Sequence, residues 1–244
     1  MIIRRLSLAE GAAAAEGVAV VIDVFRAFTC EPLLFHLGAR RIFLEADPAA
    51  CLARRGDAIL VGEHNELPLP GFDFTNSPSL LLAAGRATFA GRDVIHRTTS
   101  GVTGAIAALD RGPHVFLAGF VTAAATARAI RALKPPVVSL VAMGVRSLAP
   151  APEDERCADC LEHLLTGRPY DHVAAVAEIL ADETAGKFLR GDKPYLPAAD
   201  PVLCLQRDLF DFALAAVRDG DRVVARPVAP PPAERAAVGV RGAG

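Results

Sequence analysis

Short β-branched apolar runs alternate along this chain with Ala- and Leu-rich stretches of helical period, and that alternation restricts the fold more than any other feature. The first run, in VAVVIDVFRAFTC, is apolar at every position from 18 to 22. Such a strand has no polar face to give to water, so it belongs in a parallel sheet covered on both sides. The spacing predicts strands at 18–23, 41–45, 58–62, 93–97, 115–118 and 137–142. Helices are expected between them at 27–38, 47–55, 104–109 and 122–133, with a further helix opening at Ser77 and Pro78. A helix beginning in EDERCADCLEHLLTG is closed by Gly167. Residues 172–190 and 205–218 read as helices and 222–228 as an edge strand. The expected class is α/β, a three-layer α/β/α arrangement with a largely parallel or mixed central sheet. One domain over 1–228 is expected, with two α/β halves as the alternative, and the Pro/Gly/Ala-rich 229–244 reads as a disordered tail.

Composition narrows the function classes. In 244 residues with a formal net charge of −2, Lys and Arg are scattered, and there is no Trp. A nucleic-acid footprint and a stacking platform are therefore both missing. The apolar runs are short and broken by charges, and Glu10 and Glu16 interrupt the segment where a signal peptide would need an apolar core, so a cytoplasmic protein without a membrane partner is expected. Five cysteines, an odd number, suit reduced thiols. Cys157-x2-Cys160 with His163 is only half of a zinc pattern and falls within a helix, where small buried thiols are the simpler account.

Two acids and three Gly-bearing turns gather where the strands are expected to end: Asp23, Glu63, the turn Thr98 to Gly101, Gly119 and Gly144. In open α/β sheets the crevice at the carboxyl ends of strands is where ligands bind. Carboxylates from separate strand ends suit a hard cation such as Mg2+, although each acid alone could equally be an ion-pair partner. The TTSG turn enters a helix and reads either as an anion cradle or as Ser/Thr capping. Arg26 and Arg97 could take phosphate or sulfonate oxygens, or pair with the acids. Glu153, Asp154 and Glu155 open a helix, where the dipole accounts for them, yet one or two could complete a metal site. No Cys is followed six residues later by Arg, no second Asp lies two residues after Asp23, and no GxxxxGK occurs. Those three spacings exclude the thiolate phosphatases, the paired-Asp phosphatases and the nucleotide P-loop.

VIDVFRAFT, VGE followed by PGFDFTNSP, TTSG with Thr103 and Gly104, AGFVTAAA and the EDERCA helix start occur in this order between 18 and 165. Together they resemble the Mg2+-dependent 2-phosphosulfolactate phosphatases of coenzyme M biosynthesis. The resemblance implies hydrolysis of 2-phospho-3-sulfolactate to 3-sulfolactate and phosphate. It further implies that Asp23, Glu63 and Glu153 or Asp154 hold Mg2+, and that Arg26, Thr98, Thr99 and Gly101 neutralise the phosphoryl group. Asn76, Arg97 and Arg146 are then the candidates for the remaining substrate groups. Ser100 stands where the family commonly has Asn, and the family's GSxxNA stretch is replaced at Gly119 to Ala123. Another small phosphorylated hydroxy acid, or a non-catalytic anion-binding homologue, are the competing readings, and a homo-oligomer stays open.

Overall fold

The first predicted strand is buried at all five of its positions, and Val20, Val21 and Ile22 are inaccessible to solvent. Burying side chains of this size contributes about 1.5–3 kcal/mol each. In the computed structural model, which describes residues 1–112 and 114–229, this strand is one of ten in a single sheet. The strands are β1 (Ile2–Ser7), β2 (Val18–Ile22), β3 (Arg41–Leu44), β4 (Ile59–His64), β5 (Leu67–Pro68), β6 (Asp93–Arg97), β7 (Val115–Ala118), β8 (Val137–Ala142), β9 (Ala213–Asp219) and β10 (Arg222–Val228). The helices are α1 (Leu8–Ala13), α2 (Ala27–His36), α3 (Pro48–Leu52), α4 (Pro78–Ala84), α5 (Arg86–Phe89), α6 (Gly101–Leu109), α7 (Ala123–Leu133), α8 (Pro152–Thr166), α9 (His172–Ala181), α10 (Glu183–Leu189) and α11 (Ala199–Cys204).

The strand order is β1-β8-β2-β7-β9-β10-β3-β6-β4-β5. Two parallel sets, β1-β8-β2-β7 and β3-β6-β4, are joined by the antiparallel hairpin β9–β10. Alternate residues of the strands feed opposite faces. One face packs Ala19, Val21, Leu117 and Val61 against Phe28, Leu34, Leu81, Val102 and Ala105 of α2, α4 and α6. The other packs Val18, Val20, Ile22 and Leu140 against Ile130, Cys157, Leu161 and Ile179 of α7, α8 and α9, with a smaller group of Phe43, Leu60 and Ile95 under Cys51 of α3. The layered α/β architecture with a mixed, mostly parallel sheet is as expected.

Three successive antiparallel pairings, β7–β9, β9–β10 and β10–β3, reverse the second parallel set against the first. Twist of about 20–25° per strand pair accumulates over the intervening strands and turns the reversed set back. Curvature does the rest. Five strand spacings separate β2 from β6 in the order above, roughly 24 Å in a flat sheet at about 4.8 Å each. Yet Gly101, four residues beyond β6, donates its N–H to Asp23 at the end of β2 at 2.8 Å. Four residues reach at most about 14 Å, so the sheet must curl until the carboxyl ends of both sets meet.

Three expectations are corrected and one unexpected strand is added. Residues 205–218 do not form a helix: 213–219 is β9, whose Ala and Leu residues are held extended by pairing with β7 and β10. The 222–228 strand is not at an edge but in the middle of the sheet. Pro227 is tolerated because only Val223, Val224 and Ala225 pair with β3, so its missing N–H breaks no bond on that side. β1 is not among the expected strands: Arg4 and Arg5 interrupt its apolar Ile2, Ile3 and Leu6, and it occupies the edge beside β8. The 172–190 helix is broken at Asp182, whose side chain accepts from the Thr184 N–H at 2.8 Å and starts α10. The expected tail lies, from residue 230 onward, outside the described residues. No helix among the described residues is long and apolar enough to cross a membrane.

Candidate active site

The ends of β2, β4, β6 and β8 open on one cleft, closed at its side by the first turn of α8 and by α10. Asp23, Arg26, Glu63, Asn76, Thr99, Ser100, Arg146, Glu153, Asp154 and Lys187 line it. Of the residues singled out in the sequence, Arg97, Thr98 and Gly101 stand behind this wall rather than on it.

Asp23, Glu63 and Asp154 are each held by backbone N–H groups, at least one of them from the exit of another strand. Asp23 accepts from Ala27 N at 3.2 Å and Gly101 N at 2.8 Å, one on each oxygen. Gly101 is required there, since a Cβ would lie 2.8 Å from the Asp23 carboxylate and 2.9 Å from Ala27 Cβ. Asp154 accepts from Val24 N at 2.7 Å and Gly144 N at 2.8 Å, and so ties α8 to the exits of β2 and β8. Gly144 has φ +66°, and a Cβ on it would meet Ala149 O at 2.2 Å. Glu63 accepts from Thr99 N at 2.6 Å, from the Thr99 hydroxyl at 3.2 Å and from Glu66 N. Glu153 is buried, and its Oε2 has no hydrogen-bond partner. Glu155 points the other way, to Ser7 and Arg5.

The TTSG turn therefore differs from the anion cradle considered for it. Its Thr99 and Gly101 amides are given to Glu63 and Asp23, and the Thr98 hydroxyl accepts from Val102 N at 3.0 Å as a cap on α6. The turn brackets two carboxylates. Arg97 likewise faces inward, donating to the carbonyls of Ala46 and Glu63 and to Thr99, so it does not reach the cleft as a substrate ligand.

Burial raises the proton affinity of Asp23, Glu153 and Asp154. Asp23 is pushed up to about 6 by burial, with the neighbouring Glu63 charge adding to it. Burial carries Glu153 to about 7. Asp154 is also raised, by burial and then by the charges of Glu153 and Asp23. None of these three, nor Glu63, has an ion-pair partner among the described residues, because the cations of the cleft are engaged elsewhere. Arg26 donates to Asp200 at 2.7 Å and to Tyr195 O at 2.9 Å, with its guanidinium 5.3 Å from the Phe188 ring centre. Lys187 and Arg146 share Glu66, the latter at 3.6 Å. Asp200, Lys187, Glu66 and Phe188 were not found in the sequence. Asp200, Lys187 and Phe188 follow no predicted strand and lie so far along the chain that they leave no spacing signal, and Glu66 lies in the loop after the 58–62 strand without a motif of its own.

Among the described residues, no three His, Cys, Asp or Glu side chains stand close enough to form a ready-made metal cage. The acids line the cleft as separate oxygen donors. Mg2+ is commonly held through one or two carboxylates, with waters and substrate oxygens completing its shell. An all-oxygen set of buried acids without cationic partners, one of them with an orphaned oxygen, fits that manner of binding. The cysteines do not fit a zinc site. All five are free and buried, and burial pushes the Cys160 thiol up to about 11.

Comparison with known proteins bears on the family of the chain. The family described as 2-phosphosulpholactate phosphatase matches residues 5–212. A Bacillus subtilis (strain 168) protein named "Probable 2-phosphosulfolactate phosphatase" is 32% identical over 207 residues, covering 83% of this chain and 88% of its own length. Proteins of the same name from Deinococcus radiodurans and Thermoplasma volcanium are 38% identical over 130 residues and 28% over 195. They cover 52% and 79% of this chain, and 53% and 85% of their own lengths. With the motif order, the strand-exit cleft and a match over most of its length, the chain belongs to the 2-phosphosulpholactate phosphatase family.

Proposed function

We propose that the chain is a Mg2+-dependent phosphomonoesterase that hydrolyses 2-phospho-3-sulfolactate to 3-sulfolactate and phosphate. The observation that carries this reading is the polarity of the cleft. The cleft is lined both by acids, Asp23, Glu63, Glu153 and Asp154, and by cations, Arg26, Arg146 and Lys187. A substrate with a phosphate for a metal held by the acids and a second strong acid for the cations matches both sets.

Asp23 and Glu153 are the favoured Mg2+ ligands, with Glu63 and Asp154 beside them. A bound Mg2+ would supply Lewis-acid polarisation of the phosphoryl oxygens and a lowered pKa for a coordinated water. The chain's own residues do the rest. The amides of Gly101 and Ala27 fix the Asp23 carboxylate, and those of Val24 and Gly144 fix Asp154, so neither reorganises during reaction. Asp200 and Tyr195 O hold Arg26 in one orientation, with its flat guanidinium against Phe188, where it meets phosphoryl oxygens. Lys187 and Arg146 share a single carboxylate, which leaves a net positive charge for the sulfonate or carboxylate.

A second reading rests on Ser100, which departs from the family pattern and lines the cleft, whereas Phe120, Val121 and Thr122 of the other departure are buried away from it. A shorter polar side chain at that wall suits a different small phosphorylated hydroxy acid with the same catalysis. Phosphate release from 2-phospho-3-sulfolactate, phospholactate and phosphoglycerate, with Mg2+ and with EDTA, tests both. Release that is fastest from the sulfonated ester and abolished by EDTA is expected. Activity indifferent to chelation overturns the metal, and tight anion binding without release from any ester overturns the catalyst.

A further inference from the structure

His96 is the penultimate residue of β6, fully buried, and none of the acids or cations of the cleft wall is hydrogen-bonded to it. Its Nδ1 is 2.9 Å from Glu31 Oε1 of α2, and its Nε2 is 3.0 Å from Asn76 Oδ1. Glu31 is as deeply buried, and its other oxygen has no partner. Asn76 belongs to the cleft wall, and its Nδ2 makes no hydrogen bond to the described residues. A buried acid, an imidazole and an amide thus form one line from the core to the cleft.

The proton count along that line is fixed by its geometry. Asn76 Oδ1 can only accept, so Nε2 must carry a proton. One more proton lies between Nδ1 and Oε1, whichever atom bears it. The Glu31–His96 pair therefore holds two protons and no net charge, which is the arrangement a buried acid and base favour. If the pair lost one proton, Nε2 would become an acceptor. The Asn76 amide would then have to turn over, give its NH2 to His96 and show a carbonyl oxygen to the cleft. A donor at that wall attracts an anion, and a carbonyl repels it.

We propose that the buried Glu31–His96 pair is a positioning device that holds Asn76 with its amide NH2 turned into the cleft as a hydrogen-bond donor to the anionic substrate. This rests on the reading of the cleft as an anion site. Glu31 on α2 is the ionisable group bonded to the ring, and Asp23 at the end of β2 is a cleft acid that interacts with it through space. β3 and β4 present the apolar Leu44 and Val61 beside it.

The test reads the tautomer and binding rather than turnover. Nitrogen-15 NMR of the full chain labelled at histidine is expected to show a proton on His96 Nε2 at neutral pH. Calorimetry with inorganic phosphate is expected to show affinity falling about tenfold in Asn76→Ala, the scale of one hydrogen bond to a charged group. A similar fall is expected in the double variant Glu31→Gln/His96→Leu, which leaves no unpaired buried acid. Adding Asn76→Ala to that double variant should cost nothing further, because the donor is already lost. His96→Gln, whose amide NH2 can replace Nε2–H, should retain phosphate affinity. A bare Nε2, multiplicative losses in the triple variant, or a His96→Gln variant as weak as the leucine variant would each overturn the proposal. Phosphate binding that follows the expected pattern in a protein that hydrolyses no ester would leave the device standing and remove the phosphatase reading.

Discussion

Asp23 closes a strand with no other polar residue, and at that position a carboxylate costs several kcal/mol unless something compensates. Two backbone amides compensate in part, yet burial still carries its pKa to about 6. Asp23→Asn keeps one of the two amide bonds and removes the charge. Turnover should fall by at least about 100-fold, while Tm in a thermal melt stays within roughly 10 °C; near-normal turnover would take Asp23 out of the mechanism. Glu153 extends the argument to pH. Its folded pKa of about 7 lies above the ordinary glutamate value of 4.5, so between those pH values the folded chain binds more protons than the unfolded one. Stability then falls as pH rises through that window. Calorimetric melts of the metal-free chain should give a higher Tm near pH 5 than near pH 8. Added Mg2+ should raise Tm more at pH 8, and Glu153→Gln should flatten the slope.

At the scale of single elements, the cleft depends on how helices begin. α6 starts at Gly101 rather than at the expected 104, because the Asp23 carboxylate takes the Gly101 amide and the Thr98 hydroxyl takes that of Val102. Capping was legible in the residue types, but that one capped amide would serve a carboxylate from a strand five places away was not. Gly101→Ala should leave helix content by circular dichroism near the parent value. It should cut turnover by roughly tenfold or more, since its Cβ would displace the Asp23 carboxylate that lies 2.8 Å away. Unchanged turnover would show that the carboxylate position is not critical. The three acids of α8 divide in the same way: helical geometry sends Glu153 and Asp154 to the cleft and Glu155 to Arg5 at the sheet edge.

Across the whole molecule, the element that matters most lies outside the family match, which ends at residue 212. The β9–β10 hairpin joins the two parallel sets, and its Ala213, Leu214, Ala216, Val223, Val224 and Ala225 enter all three apolar clusters. A chain ending at residue 212 should therefore fail to fold cooperatively, as a loss of the sharp thermal transition; a cooperative melt would show that the two sets close without it. The alternation of strands and helices from 18 to 142, the buried character of β2 and the acids Asp23 and Glu63 at strand exits were determined by the sequence itself, because apolar period and residue type act over neighbours a few positions apart. The tertiary structure alone decided that an Ala/Leu-rich 213–219 is a strand and that 222–228 is central. It also decided that Lys187 lines the cleft, that Asp200 holds Arg26 from behind it and that Arg97 turns away from it. Those outcomes depend on pairing and burial between distant segments, and on the curl of the sheet that brings two reversed sets of strand ends together.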